Sequence, residues 1–298
     1  MPADLATRTH RDPGPLLWAV AAGCWLVTVE LILLGGDRLG HHGTLPGQPG
    51  WPWPARLAMF LAVWLVMVGA MMLPTTVPMA RLFVPVSARA PRTGAVRAAF
   101  GSGYVAVWTV FAVVALLGDA AVRALVAGSD WLSARPGLVL AVALLVAGAF
   151  QFSPLKNACL TACRNPVGFL WQHYRRGVGS AWRLGVRHGL SCLGCCWALM
   201  LVMFGTGTGS LAWMLALTAV MVAEKTTRWG ARLVAPIGLA LIAAGISAAL
   251  PLLGVVPPGR AGAPVGHDHG ADAALVASLV GVAVLVVSVL WTRARRRV

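Results

Sequence analysis

Apolar residues fall in long runs separated by short polar segments, at residues 15–34, 56–73 (continuing toward 80), 98–117, 136–152, 183–204, 211–223, 233–253 and 274–291. Leu, Ala and Val follow one another in these runs without the strict polar–apolar alternation of a membrane β-strand. Most runs approach the roughly 20 residues that a helix needs to cross a bilayer. Backbone groups in lipid can be satisfied only within helices or closed barrels, so the pattern predicts an all-α fold. The expected architecture is a polytopic transmembrane helical bundle of about eight spans, forming one integral membrane domain over residues 1–298. There is no internal repeat, and no linker is long enough to separate two units. The fifth and sixth runs are joined only by the Gly- and Thr-rich segment 205–210, and the sixth is short. These two could instead form a re-entrant hairpin. Pro74 and Pro78 end or kink the second helix. The first run follows Arg8 and Arg11 but ends without a small-x-small cleavage site, so it is read as an anchor and not as a signal peptide.

The loops give this bundle a direction. Placing the N-terminus inside puts nineteen of the 24 lysines and arginines in inner segments, and only Arg38, Arg56, Arg123, Arg135 and Arg260 in outer ones. The positive-inside rule therefore predicts a multi-pass protein of the cytoplasmic membrane with both termini cytoplasmic. Trp18, Trp51, Trp53, Trp131, Trp171 and Trp291 lie near expected span ends, as interfacial anchors do.

Composition agrees. Hydrophobic residues make up 58% of the chain and charged ones 11%, with a mean hydropathy of +0.78; a soluble domain would carry about 25% charged residues. The net charge of +15 raises nucleic acid as a partner. The basic residues, however, are scattered among apolar runs instead of forming one stripe, so the expected partner is the lipid bilayer and not nucleic acid.

Candidate chemistry is concentrated in sulfur. Five of the six cysteines fall in two short segments. Cys159 and Cys163 follow Ser153-Pro154, an N-cap with proline at the first helical position, so a short helix is expected with both sulfurs on one face. Cys192, Cys195 and Cys196 lie early in the fifth run, combining a C-x-x-C with an i, i+4 pair. His188, Cys192, Cys196, Met200 and Met203 fall at steps of four or three and form one stripe along that helix. In the expected topology both segments sit toward the cytoplasmic side, where Met71, Met72 and Met79 of the second helix also lie. The sulfurs of Cys159, Cys163, Cys192 and Cys196 should then form one cluster faced by Met71 or Met72.

Soft sulfur ligands select Cu(I), zinc or iron–sulfur clusters. The reading favoured here is a metal site of Cys159, Cys163, Cys192, Cys195, Cys196, His188, Met71 and Met72, holding Cu(I) before Zn²⁺, with no organic cofactor. Arg187 and Lys156 are near enough in sequence to stabilise thiolate charge. The function expected is soft-metal, chiefly copper, binding and handling or transport, with a metallochaperone or metal-receiving protein as partner. Two rivals stand beside it. A membrane thiol–disulfide oxidoreductase would use Cys192/Cys195 or Cys159/Cys163. A structural or assembly protein would use its cysteines only for packing, as a lone thiol such as Cys24 does.

No Ser/His/Asp set or P-loop stands out, and Gly205-x-Gly207-x-Gly209 follows no strand, so the balance leans away from an enzyme. His41-His42 and His267-Asp268-His269 read as solvated loop. Glu30 lies within the first span or at its interface, and Glu224-Lys225 reads as an interfacial pair at the inner end of the sixth span.

Several of these residues also carry a family resemblance. Met71-Met72-Leu73-Pro74-Thr75-Thr76-Val77-Pro78-Met79 is similar to an MMLPSxxPM signature. Residues 154–166 resemble PLKxxCLxxCRxP, residues 189–200 resemble GxxCxGCCWxLM, and Glu224-Lys225 an EK pair. Together they resemble the DUF2182 family of predicted metal-binding integral membrane proteins, over roughly residues 55–255. The first span and the last span with its histidine loop fall outside that region. The resemblance implies a membrane protein and suggests a metal, without naming the metal or an activity.

Overall fold

The computed structural model describes residues 12–35, 51–206 and 210–253. The expected last span at 274–291, the histidines at 41, 42, 267 and 269, and Trp291 lie outside the described residues. The described chain is helical: α1 (Gly14–Gly35), α2 (Trp53–Ser87), α3 (Thr93–Ala127), the single turn α4 (Asp130–Ser133), α5 (Gly137–Phe150), α6 (Pro154–Arg164), α7 (Pro166–His173), α8 (Val178–Thr206), α9 (Leu211–Thr226) and α10 (Gly230–Leu252). This is an all-helical, multi-pass membrane protein. Five helices, α1, α2, α3, α8 and α10, are long and apolar enough to cross a membrane, and a sixth span results if α5 and α6 are taken as one bent crossing.

Seven of the eight expected spans fall among the described residues, and five or six crossings there have a helix long and apolar enough. The sixth run forms α9, whose 16 residues rise only about 24 Å, short of a hydrocarbon core about 30 Å thick. Nothing in the described residues supports a re-entrant hairpin at the fifth and sixth runs. The sharp break lies elsewhere, at residues 151–153, where α5 and α6 meet at 67°. There Ser153 accepts a hydrogen bond from Lys156 N at 3.0 Å and Pro154 opens α6, so the N-cap expected from sequence is what restarts the helix.

Small residues let the long helices approach closely. A Cβ on Gly185 of α8 would press on the Phe100 carbonyl of α3, one on Gly189 would meet the Val107 side chain, and one on Gly103 of α3 would meet the Trp182 carbonyl. Gly185 and Gly189 are four apart, the spacing by which membrane helices bring backbones together. Likewise α5 and α10 meet through Gly148, where a Cβ would lie 2.8 Å from the Gly238 carbonyl, and Gly245. We expect Gly185→Ala to destabilise the bundle by about 3 kcal/mol, the upper part of the range for overpacking, because backbone cannot yield as a side-chain tip can. Gly101→Ala on α3 has open space and should change little; unfolding in detergent, followed by circular dichroism, compares the two.

The N-terminal helix is tied at one end. Asp12 caps the Gly14 N–H at 2.9 Å and its carboxylate accepts from Arg81 of α2 at 2.9–3.1 Å. The Arg81 hydrogen bond, then the Gly14 N–H, hold the Asp12 carboxyl below its ordinary range. At the other end of the bundle, Arg135 donates to the Leu252 carbonyl of α10 at 2.8 Å. Trp18, Trp53, Trp131 and Trp171 are half or more exposed, as interfacial anchors require, whereas Trp64, Trp108 and Trp213 are core residues.

Two buried clusters result. One surrounds Met71, Met72, Cys192, Cys195, Cys196, Met200 and Met203. The other, nearer the Arg-rich turns, holds Met79, Phe83, Phe100 and Phe169.

Candidate metal centre

The last turn of α9 decides the chemistry of the interior. Glu224 and Lys225 are consecutive, so their side chains leave the helix about 100° apart and face different neighbours. Glu224, 2% exposed, meets Lys156 of α6 at 2.7 Å. Lys225, 6% exposed, points into the sulfur cluster. The pair expected at the interface is buried, which corrects that reading: α2, α6 and α8 cover a helix too short to carry its end to the surface.

Around Lys225 the distances are short. Its ammonium donates to Cys192 Sγ at 3.2 Å and reaches Cys196 Sγ at 3.8 Å and Met72 Sδ at 3.9 Å. Tyr104 OH lies 3.3 Å from Cys192 Sγ. The Cys195 and Cys196 thiols donate to the Cys192 carbonyl at 3.0 and 2.9 Å, the usual way a thiol near the middle of a helix satisfies its hydrogen. Cys192, Cys195 and Cys196 are each at most 2% exposed, and all six cysteines are free.

The α6 cysteines join from the side. Cys163 packs against the cluster that holds Cys195. Cys159 Sγ lies 2.6 Å from where a Cβ on Gly194 would stand, so glycine inside the Cys192-to-Cys195 spacing admits that sulfur. Both α6 cysteines are half-buried. Two cations fasten α6 to α9: Lys156 to the Glu224 carboxylate, and Arg164 to the carbonyls of Glu224 (2.5 Å) and Arg228 (3.1 Å). Arg164 thereby satisfies the Glu224 carbonyl in the last turn of α9 and one in the turn that follows.

The remaining expected residues divide. Met71 and Met72 are fully buried in the thiol cluster, as are Met200 and Met203. Met79 packs with Phe83 in the aromatic cluster instead. His188, one turn before Cys192, sits among the rings of Phe100, Tyr104 and Phe169, at centroid distances of 6.0, 5.6 and 5.9 Å. It is 6% exposed and its Nε2 has no hydrogen-bond partner. Lys156, expected to stabilise a thiolate, is engaged by Glu224; Lys225 holds the place beside sulfur. Cys24 fills the contact between α1 and Gly69 of α2. Sequence reasoning missed Lys225 and Tyr104 as members of the cluster. Signals existed for both: an ionisable residue in an apolar run is a functional hypothesis by default, and a buried tyrosine hydroxyl needs a partner.

Among the described residues, no group of three or more His, Cys, Asp and Glu side chains is placed so that it could hold a metal ion. The sulfurs are instead gathered around an ammonium ion. Chemically this is a soft, sealed donor set with a fixed positive charge beside it.

A family model described as PpoB2, copper chaperone, matches residues 61–248, from within α2 to within α10. That span covers more than half of the 298-residue chain, including every cysteine of the cluster. No curated protein and no solved structure matches. The match corrects the resemblance drawn from short motifs: the family is PpoB2 and not DUF2182. Short motifs report which residues recur, whereas a model of the whole region weighs every position.

Proposed function

Because the chain belongs to the PpoB2 copper-chaperone family, we propose that it takes Cu(I) as cargo within the membrane, on thiolates of the α6–α8 cluster. Cys192 and Cys196 are the central ligands, Cys195 is an alternative buried donor, Cys163 and Cys159 are alternative donors toward the surface, and Met72 and Met71 supply thioethers. His188 supports the stripe from its aromatic box. The orientation follows the basic loops, with both termini and the cluster toward the cytoplasm. A metallochaperone or metal-receiving protein then meets the chain on that side.

The observation that carries this reading is Lys225 among the sulfurs. The formal charges of the buried layer, Lys156, Glu224 and Lys225, leave one positive charge over. In a low-dielectric interior an uncompensated charge is expensive, and a single thiolate balances it. Cu(I) on two thiolates also carries one negative charge and balances Lys225 equally well. Zn²⁺ on two thiolates is neutral and leaves the ammonium uncompensated, so zinc needs a third thiolate. Soft donors favour Cu(I) as well. One Cu(I) therefore replaces one proton on sulfur without changing the net charge of the interior.

Titration of the reduced full-length protein with Cu(I), in competition with a chromogenic chelator, tests this. Wild type should hold copper, and Cys192→Ser or Cys196→Ser should weaken it at least about tenfold. Bound copper should also protect the thiols from alkylation. Unhindered alkylation of all five clustered thiols in metal-loaded protein would sink the reading and favour packing. A reversible two-electron dithiol–disulfide couple without metal binding would move it to the oxidoreductase.

A further inference from the structure

Far from the thiols, the end of α2, the turn at 88–92 and the chain between α7 and α8 enclose a cavity of about 550 Å³. Three arginines line it: Arg89 and Arg92 from the turn, and Arg176 from the α7–α8 connection. Gly177, the only residue with positive φ among the described residues (109°), turns the chain there and sets Arg176 opposite the other two. Among the described residues none of the three has an ion-pair partner. Neighbouring cations are engaged: Arg97 donates to the Val84 carbonyl at 2.9 Å and Ser87 Oγ at 3.1 Å, and Arg81 is paired with Asp12. No acidic residue lines the cavity.

Arg89, Arg92 and Arg176 are exposed, and three guanidinium groups on one concavity without a carboxylate concentrate positive charge that an anion would offset. The walls beside them are apolar: Val86 and Val178 are about 40% exposed, and Tyr174 closes the floor. Exposed Trp171 and Trp182 on the flanking helices mark the level of the membrane interface. A ligand matching this surface has a phosphate that accepts from guanidinium forks and a hydrocarbon part that lies against valine. We propose that this cavity binds the headgroup phosphate of an anionic phospholipid, which holds the α2–α3 turn to the start of α8. Basic pockets between membrane helices are suited to such headgroups. The site is independent of the metal reading.

The test uses the full chain in a neutral detergent with phosphatidylglycerol or phosphatidylcholine added, read by native mass spectrometry and thermal unfolding. Phosphatidylglycerol should be retained and raise Tm, while phosphatidylcholine does neither. With each arginine worth about fivefold, Arg92→Gln should weaken retention about fivefold and the triple change Arg89→Gln/Arg92→Gln/Arg176→Gln about 100-fold. Arg228→Gln, outside the cavity, should leave retention unchanged, and Cu(I) binding should be the same in all these proteins. Equal retention of both lipids, or of phosphatidylglycerol by the triple variant, would overturn the proposal. So would an equal Tm shift from inorganic phosphate alone, which would make the ligand a free anion. A shift from polyglutamate with phosphatidylglycerol inert would also overturn it, and would make the surface a dock for an acidic protein.

Discussion

Lys225→Met should lower Cu(I) affinity by two to more than three orders of magnitude. The change shortens the side chain by only one heavy atom and adds a soft sulfur, so a view based on donor count alone predicts tighter binding. Charge predicts the reverse. Lys225 lies 3.2 Å from Cys192 Sγ with neither group open to water, and a copper bis-thiolate there would lose its counter-ion. Removing one member of a buried ion pair costs about 3–5 kcal/mol, and each 1.4 kcal/mol is about tenfold in affinity. Lys225→Arg keeps the charge with different geometry and should retain most of the binding. Chelator competition at fixed pH measures all three proteins. Tighter binding by the methionine variant would mean that the ammonium merely competes with the metal, and the charge argument would fall.

Lys156→Met is expected to destabilise the fold itself, by about 3–5 kcal/mol. Lys156 and Glu224 are 1% and 3% exposed at the side chain and 2.7 Å apart, and Glu224 Oε1 already lacks a partner. Without Lys156 the carboxylate is left buried against an excess of apolar surface. Replacing both, as Lys156→Met/Glu224→Leu, removes both charges and should recover most of the loss, since buried pairs can often be exchanged for apolar residues of similar volume. Unfolding of wild type, both single variants and the double variant completes a double-mutant cycle. A double variant no more stable than Lys156→Met would show that the pair matters through packing and not through charge.

The sequence displays its helices because lipid demands unbroken apolar runs; each of α1, α2, α3, α8 and α10 is built on one, with α2 and α3 extending well beyond theirs. It hides how many of them cross. Hydropathy counts apolar residues but does not register that α5 has 14 residues and turns by 67° into α6, or that α9 has only 16. The cysteine spacings are visible as two helical faces. That the faces meet depends on Gly194 admitting Cys159 and on Arg164 and Lys156 locking α6 to α9, all contacts distant in sequence. Lys225 was misjudged for the same reason. An isolated helix ending in Glu-Lys places both at the water, and only the cover provided by α2, α6 and α8 draws them inside.

Sealing the thiols also sets a clock. An ion held among three cysteines that are at most 2% exposed can leave only while the helices stand apart. Its residence time then follows the frequency of that opening, in the microsecond-to-second regime of local rearrangements, and not the strength of the sulfur bonds. A stronger or more concentrated chelator in the surrounding water would capture what emerges without hastening it. Transfer to another protein would instead be hastened by whatever loosens α6, the helix that carries the half-buried Cys159 and Cys163 and is restarted at Ser153.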